Sequence, residues 1–325
     1  MTDYRVEKYT YGREQQWDEF VKNAKNGSFL FQRAFMEYHD DRFEDHSLLV
    51  FRKNKLVALL PANIDNNKVY SHQGLTYGGF LLSATTKFKK ILEAFRATLK
   101  YLADKKTDAL IIKPLPYIYQ SYPAAEMEYL RFILKARLTE RQLSAGIYIP
   151  NRLKIAYNRR RGAQTASKKG LVVRKNTDFE SFWTKILIPN LEKQYQVRPV
   201  HSVSEIQHLA EKFPENIHQY NVYRAGEIVG GTTVFETKTT AHTQYISAGE
   251  GRQAYRTNDF LMQKLITEEF AHKTYFDFGT SNESAGAHLN GGLHYWKETF
   301  GARGVAYDRF EINPNNFNLL DRVLI

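Results

Sequence analysis

Residues 291–304, GGLHYWKETFGARG, set Lys297 beside Trp296 inside an apolar stripe whose ends are marked by glycine. Read as a short helix, the stretch places Leu293, Trp296 and Phe300 at i, i+3 and i+7 on one face, with Lys297 on its edge. A cation there can steady negative charge on whatever the face covers. The same pattern also fits a lysine that snorkels off an apolar helix edge. Groups able to move a proton are few. His242 lies in an expected strand, and Asp277 and Glu283 sit around FDFGTSNES, after a strand, where site loops form. A satisfied strand histidine and ordinary acidic turn residues are the plainer readings of the same three. Covalent catalysis has no obvious carrier, because the chain has no cysteine and no Gly-x-Ser-x-Gly elbow. His-x-x-x-His and His-Glu-x-x-His spacings are missing too, so no metal site is expected.

The elements that must hold these residues come twice. Ser47–Asn63, SLLVFRKNKLVALLPAN, reads as strand, turn at Lys53-Asn54, and strand; Tyr220–Phe235, YNVYRAGEIVGGTTVF, repeats this with its turn at Ala225-Gly226. His72 and His242 then fall in matching places, as do Gly79 and Gly249. After Gly79 come the amphipathic KFKKILEAFRATLKYLA and the apolar ALIIKPLP; after Gly249 come NDFLMQKLITEEFAHK and YFDFG. Each half reads strand, loop, helix, strand. Thr257 or Asn258 suits the N-cap of the second helix, and Asp259 in its first turn has the sign that a helix N-terminus favours. The expected fold class is α/β (α+β), a duplicated domain with mixed, mostly antiparallel sheets flanked by helices, divided as 1–150 and 151–325. PYIYQSYP, between the halves' main elements, reads as an extended loop.

At 325 residues and 42% apolar content, the chain can bury two cores, and disorder is not expected. No apolar run reaches the roughly 18–20 residues of a membrane span, and MTDYRVEKYTYGREQQW has no apolar signal region. A cytoplasmic protein is the expectation. The net charge of +11 is uneven: residues 151–175, NRLKIAYNRRRGAQTASKKGLVVRK, hold 9 Lys/Arg and no Asp/Glu. Such a block meets phosphates or stays solvated. It forms the expected junction, followed by the expected helix DFESFWTKILIPNLEKQY.

The order of these units resembles a tandem pair of GNAT acyltransferase folds, as in the FemAB group, which includes the peptidoglycan-bridge aminoacyltransferases. The resemblance runs from about Gly27 to Phe300 and is strongest in YQVRPVHS, VYRAGEIVGGTTVF, HTQYISAG, YFDFGTSNES and GLHYWKETFGA. It implies that Lys297 lies near the donor carbonyl with Trp296 beside it, that Arg198 contacts the acceptor, and that Tyr255 follows the strand-to-helix loop. It also sets the basic link, with Lys168, Lys169, Arg174 and Lys175, near the cleft, and Arg161 belongs to the same block. The sequence departs from the family at His39, which stands where an acceptor-contacting lysine is expected and is a weaker, pH-dependent cation. It also has no heptad arm, and SAGEGRQAYRTND does not match the CoA pyrophosphate loop of ordinary GNAT enzymes. Gly249 and Gly251, ahead of Asn258, can still open backbone N–H groups to a phosphate.

The implied activity is acyl transfer to an amine or hydroxyl of a small or cell-envelope-related acceptor. Lys297 would steady the oxyanion and the acceptor would attack directly. Acyl-CoA is the expected donor, with aminoacyl-tRNA as the alternative; a non-catalytic nucleic-acid binder using the basic junction is the rival class. The first half lacks a counterpart of Trp296-Lys297, so the chemistry is expected in the second.

Overall fold

A computed structural model describes residues 3–325. The chain forms two compact units, residues 1–142 with 306–325, and residues 143–305. The expected division at 150/151 is therefore corrected in two places. The chain crosses from the first unit to the second within the strand Arg137–Tyr148 and returns within Arg303–Ile312. The last twenty residues, expected in the second domain, pack into the first core through Ile312 and Leu320. The basic block belongs wholly to the second unit and is no junction.

In the first unit, Leu48–Arg52 and Lys55–Leu60 form the expected hairpin, joined to Tyr4–Lys8 and Leu81–Leu82 in an antiparallel sheet. The turn works because Lys53 takes a left-handed φ of 53°. The helix Phe88–Asp104 buries Ile91, Phe95, Leu99 and Leu102, which recur at helical spacing, in one core with Leu48, Val50 and Leu60. Lys68–Tyr70 runs parallel to Ala109–Ile112.

In the second unit, Leu171–Asn176, Ile217–Arg224, Glu227–Glu236 and Thr240–Ala248 form an antiparallel meander. The Ala225-Gly226 turn has φ of 49° and 86°, the left-handed pair that a two-residue hairpin needs. Tyr275–Thr280 then lies parallel to the fourth strand and antiparallel to Ser144–Tyr148. Two expected helices differ in detail. The run from Asp178 breaks into Phe179–Phe182, a π-helical turn Trp183–Leu187, and Ile188–Tyr195, because Pro189 has no N–H with which to continue the ladder. The helix Thr257–Lys264 is capped by Arg256 in the left-handed region, φ 58°, which places both Thr257 and Asn258 inside it.

Candidate active site

Parallel strands Thr240–Ala248 and Tyr275–Thr280 pair over only three positions, ending with His242 opposite Asp277. Beyond that rung they part, and the chemistry-bearing side chains collect at the fork. Asp277 is fully buried. Its Oδ2 lies 2.9 Å from His242 Nδ1, while Oδ1 accepts from Ser144 Oγ at 2.6 Å and from Gly279 N at 3.1 Å. A buried carboxylate is tolerable only with such partners. Gly279 has φ 75°, and a Cβ there would come within 3.1 Å of His242 Cε1, so the imidazole is bounded closely on that side.

Lys297 is also buried, with 3% exposure, which corrects the edge position expected for it. The helix Gly291–Glu298 turns His294 and Lys297 inward and leaves Leu293 exposed. Trp296 packs edge-on against Phe278 and Phe300, at 5.7 and 5.2 Å between ring centroids. The ammonium donates to the carbonyls of Gly279 and Thr280, each at 2.8 Å. Burial pulls its pKa down to about 8, against the opposing pull of Asp277. The snorkelling alternative is thereby overturned: Lys297 reaches inward to the strand that carries Asp277.

The first unit builds the same fork and closes it. Ser71 N donates to Ile111 O at 2.8 Å, Lys113 N to Ser71 Oγ at 2.9 Å, and Gly78 N to Lys113 O at 2.6 Å. An isolated parallel bridge, Gly78 to Pro114, rejoins the two chains. Carrying the register of Tyr70 and Ile111 forward by two sets Lys113, not a carboxylate, across from His72. His72 is buried and stacked on His39, and burial above all holds its pKa down to about 3. His39 is itself 2% exposed, stacked between Tyr38 and His72, and burial lowers its pKa. It is thus a buried core ring disfavoured as a cation, which corrects its expected place as an acceptor-binding cation.

Other expected residues gather at a second place in the same unit as the open fork. A cleft of about 770 Å³ is lined by Lys185, Asn190, Lys193 and the loop Gly249–Ala254. Gly251 takes φ 81°, opening the loop, and a Cβ on Gly249 would come within 3.1 Å of Ile186 Cδ1. Tyr255 follows, with Arg224 4.6 Å above its ring and Lys169 at 6.0 Å; Lys169 Nζ also donates to Ala254 O at 2.7 Å. Asn258 Oδ1 is buried without a hydrogen-bond partner. Arg198 is exposed and pairs with Glu192 at 2.9 Å. Arg161 is exposed on the basic helix Tyr157–Lys168.

The basic helix is less available than its charge suggests. Arg159 pairs with the buried Asp259 at 3.0 Å and donates to Thr299 Oγ1 at 2.9 Å, while Arg160 Nε donates to Ile155 O at 3.1 Å. Sequence reasoning missed Ser144 and gave Asp277 a bland reading. The available signal for Asp277 was a carboxylate set between Phe276 and Phe278 in a buried strand.

The fold is FemAB-like, a tandem pair of GNAT-type units. FemX superposes with a TM-score of 0.68 at 12% identity, covering 97% of this chain and 99% of that one. The C-terminal domain (DUF2156) of a putative lysylphosphatidylglycerol synthetase from Agrobacterium fabrum gives 0.60 at 10% identity, covering 94% and 92%. A tandem GNAT protein from the clavulanic acid biosynthesis pathway gives 0.50 at 9% identity, covering 96% and 98%. No protein-family model matches the sequence, and no curated protein sequence matches it. Among the described residues, no helix is long and apolar enough to cross a membrane.

Proposed function

We propose that the chain is an acyltransferase whose chemistry lies at the open fork of the second unit. The observation that carries this reading is the His242–Asp277 pair at the last rung, with Lys297 holding the exit of the same strand. His242, oriented through Nδ1 by Asp277, takes the proton of an acceptor amine or hydroxyl on Nε2 and passes it to the leaving group; Asp277 stabilises the imidazolium formed between these steps. An ammonium has three donors, and two of those on Lys297 go to Gly279 and Thr280. The third is directed here to the oxyanion. Neither group forms a covalent intermediate: the acceptor adds to the acyl carbon, giving the oxyanion, and its collapse breaks the bond to the donor's leaving atom, which receives the proton from His242.

The donor is proposed to be an acyl-CoA. The Gly249–Ala254 loop and the cleft lysines Lys185 and Lys193 suit a phosphate-bearing donor, and the run from His242 to Gly249 spans roughly 20 Å at strand rise. A donor held by phosphate at the loop must therefore extend a long arm to the fork. When bound, it supplies an acyl group activated as a thioester. The acceptor is proposed to be a small or cell-envelope-related amine or alcohol, a reading supported by the family resemblance and by the name of the lysylphosphatidylglycerol synthetase. Aminoacyl-tRNA is the alternative donor, favoured by the exposed Arg161, Lys168, Lys169, Arg174 and Lys175.

Acetyl-CoA, longer acyl-CoAs and aminoacyl-tRNA titrated into wild type and Lys297→Ala, across a salt series, separate these donors. Saturable CoA binding with shallow salt dependence supports the acyl-CoA reading. Affinity for aminoacyl-tRNA alone, falling by orders of magnitude between low and moderate salt, replaces it with the tRNA reading. Binding of neither defeats the enzyme proposal.

A further inference from the structure

We propose a second ligand site, for an oxyanion group, in the first unit at Arg131. The side chain projects from the helix Glu126–Ile133 and lines a narrow pocket with Asn26, Gly78, Gly79, Gln120 and Glu128. Arg131 is 8% exposed, its Nε is sealed from solvent with no hydrogen-bond acceptor, and it forms no ion pair among the described residues. Every other arginine of comparable burial in this unit is neutralised: Arg33, at 3% exposure, pairs with Asp45 and Glu37.

What Arg131 has instead is weak compensation. The guanidinium carbon lies 4.6 Å over the Phe310 ring, and the residue sits in the last turn of its helix, where the dipole favours a cation. Glu128 and Asp308 act on it only at longer range, and burial outweighs them in lowering its pKa. Asp308 is already committed to Arg141, at 2.6 and 2.8 Å. A buried guanidinium without a close partner is unfavourable, and a carboxylate or phosphate is the shape that matches a guanidinium fork. Asn26, in the same lining, is pinned by bonds to Phe80 O and Leu82 N, so it cannot swing in to serve as the partner.

Size decides what part of a ligand enters. The space is about 30 Å³, against roughly 10–15 Å³ for one water on the same measure. One oxyanion group fits; a nucleotide or a sugar does not. The site therefore takes the carboxylate or phosphate terminus of a ligand whose remainder stays outside the pocket. Glu128 at the mouth disfavours groups of high negative charge, which sets carboxylate ahead of phosphate.

The test uses the full chain, melted at constant ionic strength with rising acetate, or rising inorganic phosphate, in place of chloride, for wild type and Arg131→Met. A saturable rise in Tm with one anion in wild type, lost in Arg131→Met, supports the site and identifies its chemistry. Arg131→Met should also melt no lower than wild type in chloride alone, because the change removes a buried charge that lacks a close partner. Arg131→Lys, which keeps the charge and loses the fork, should weaken binding at least tenfold. No anion-specific rise in wild type, or an equal rise in wild type and Arg131→Met, overturns the proposal. Phosphate bound at the Gly249–Ala254 loop raises both proteins equally and so does not imitate a positive result.

Discussion

His242 Nδ1 stands 2.9 Å from Asp277 Oδ2 on the final rung shared by two parallel strands. Strand pairing fixes one residue against the other, and the pairing of the two strands ends at that rung. Ser144, from a third strand, holds the other carboxylate oxygen at 2.6 Å, so the carboxylate cannot rotate away. The fork thus supplies orientation to the proposed base through the backbone.

Removing either member should stop turnover without stopping donor binding. His242→Ala and Asp277→Asn are each expected to lower kcat by about 10²- to 10⁴-fold, the range for general acid–base catalysis. The double variant should be little worse than either single one, because the two act as a unit. Steady-state transfer assays with donor titrations check this; wild-type kcat in Asp277→Asn rules out the proposed base.

Lys297 makes a prediction about alkaline stability. Its pKa is about 8 in the folded chain against 10.5 for a free lysine. Between these values the unfolded chain binds the extra proton, so stability rises with pH. The penalty of keeping the buried ammonium, roughly 3 kcal/mol by this shift, is fully present below pH 8 and is lost by pH 10.5. Lys113 has the same shift and adds to the same window. Lys297→Met should therefore flatten the slope of unfolding free energy against pH by about one proton, measured as the difference from wild type in urea melts at pH 7.5 to 10.5. Parallel slopes in the two proteins refute it.

The acid limb has a different origin. Burial pushes Glu236 up, but His218 Nε2 at 2.9 Å and Lys273 Nζ at 2.6 Å outweigh it and hold its pKa down to about 2. A lowered carboxyl pKa gives stability that is complete above about 4.5 and fades as pH falls toward 2. Glu236→Gln should lose on the order of 2 kcal/mol at pH 7 and show a flatter decline from pH 4.5 downward. Denaturant midpoints at pH 7, 4 and 3 test this; an unchanged acid slope counts against it.

The local parts of this fold were legible in the sequence, and the non-local ones were not. Both hairpin turns, the repeat that matches His72 with His242, and the helix Phe88–Asp104 follow from alternation, turn residues and helical spacing. The return of residues 306–325 to the first core is invisible to periodicity, because it depends on the pairing of Phe310–Ile312 with Leu110–Ile112, some two hundred positions away. Lys297 illustrates the same limit at the site. Hydrophobicity put Leu293 on the covered face and the lysine on its edge, but the carbonyls that draw the ammonium inward belong to Gly279 and Thr280 on another element. His39 and His72 could be recognised as histidines without any sign that they would stack on each other inside the core.

Charge at the basic helix separates in the same way into a structural share and an available share. Gly162 packs against Asp259 so closely that a Cβ would collide with its Oδ2, and Asp259 holds both Arg159 and Arg256, at 3.0 and 2.8 Å. Gly162→Ala must displace the Asp259 carboxylate and the Arg256 guanidinium that it holds, costing about 1–3 kcal/mol as overpacking does. Arg159→Ala leaves a buried carboxylate with one partner fewer and should cost about 3 kcal/mol or more. Arg161→Ala, on the exposed side, should change stability by less than about 0.5 kcal/mol. Loss of donor affinity in Arg159→Ala therefore reports the fold, whereas loss in Arg161→Ala reports contact with phosphate. The two are told apart by thermal melts run beside the binding titrations: Arg161→Ala with an unchanged Tm and a shallower salt dependence of binding places the helix against a polyanion, and an unchanged salt dependence removes it from the interface.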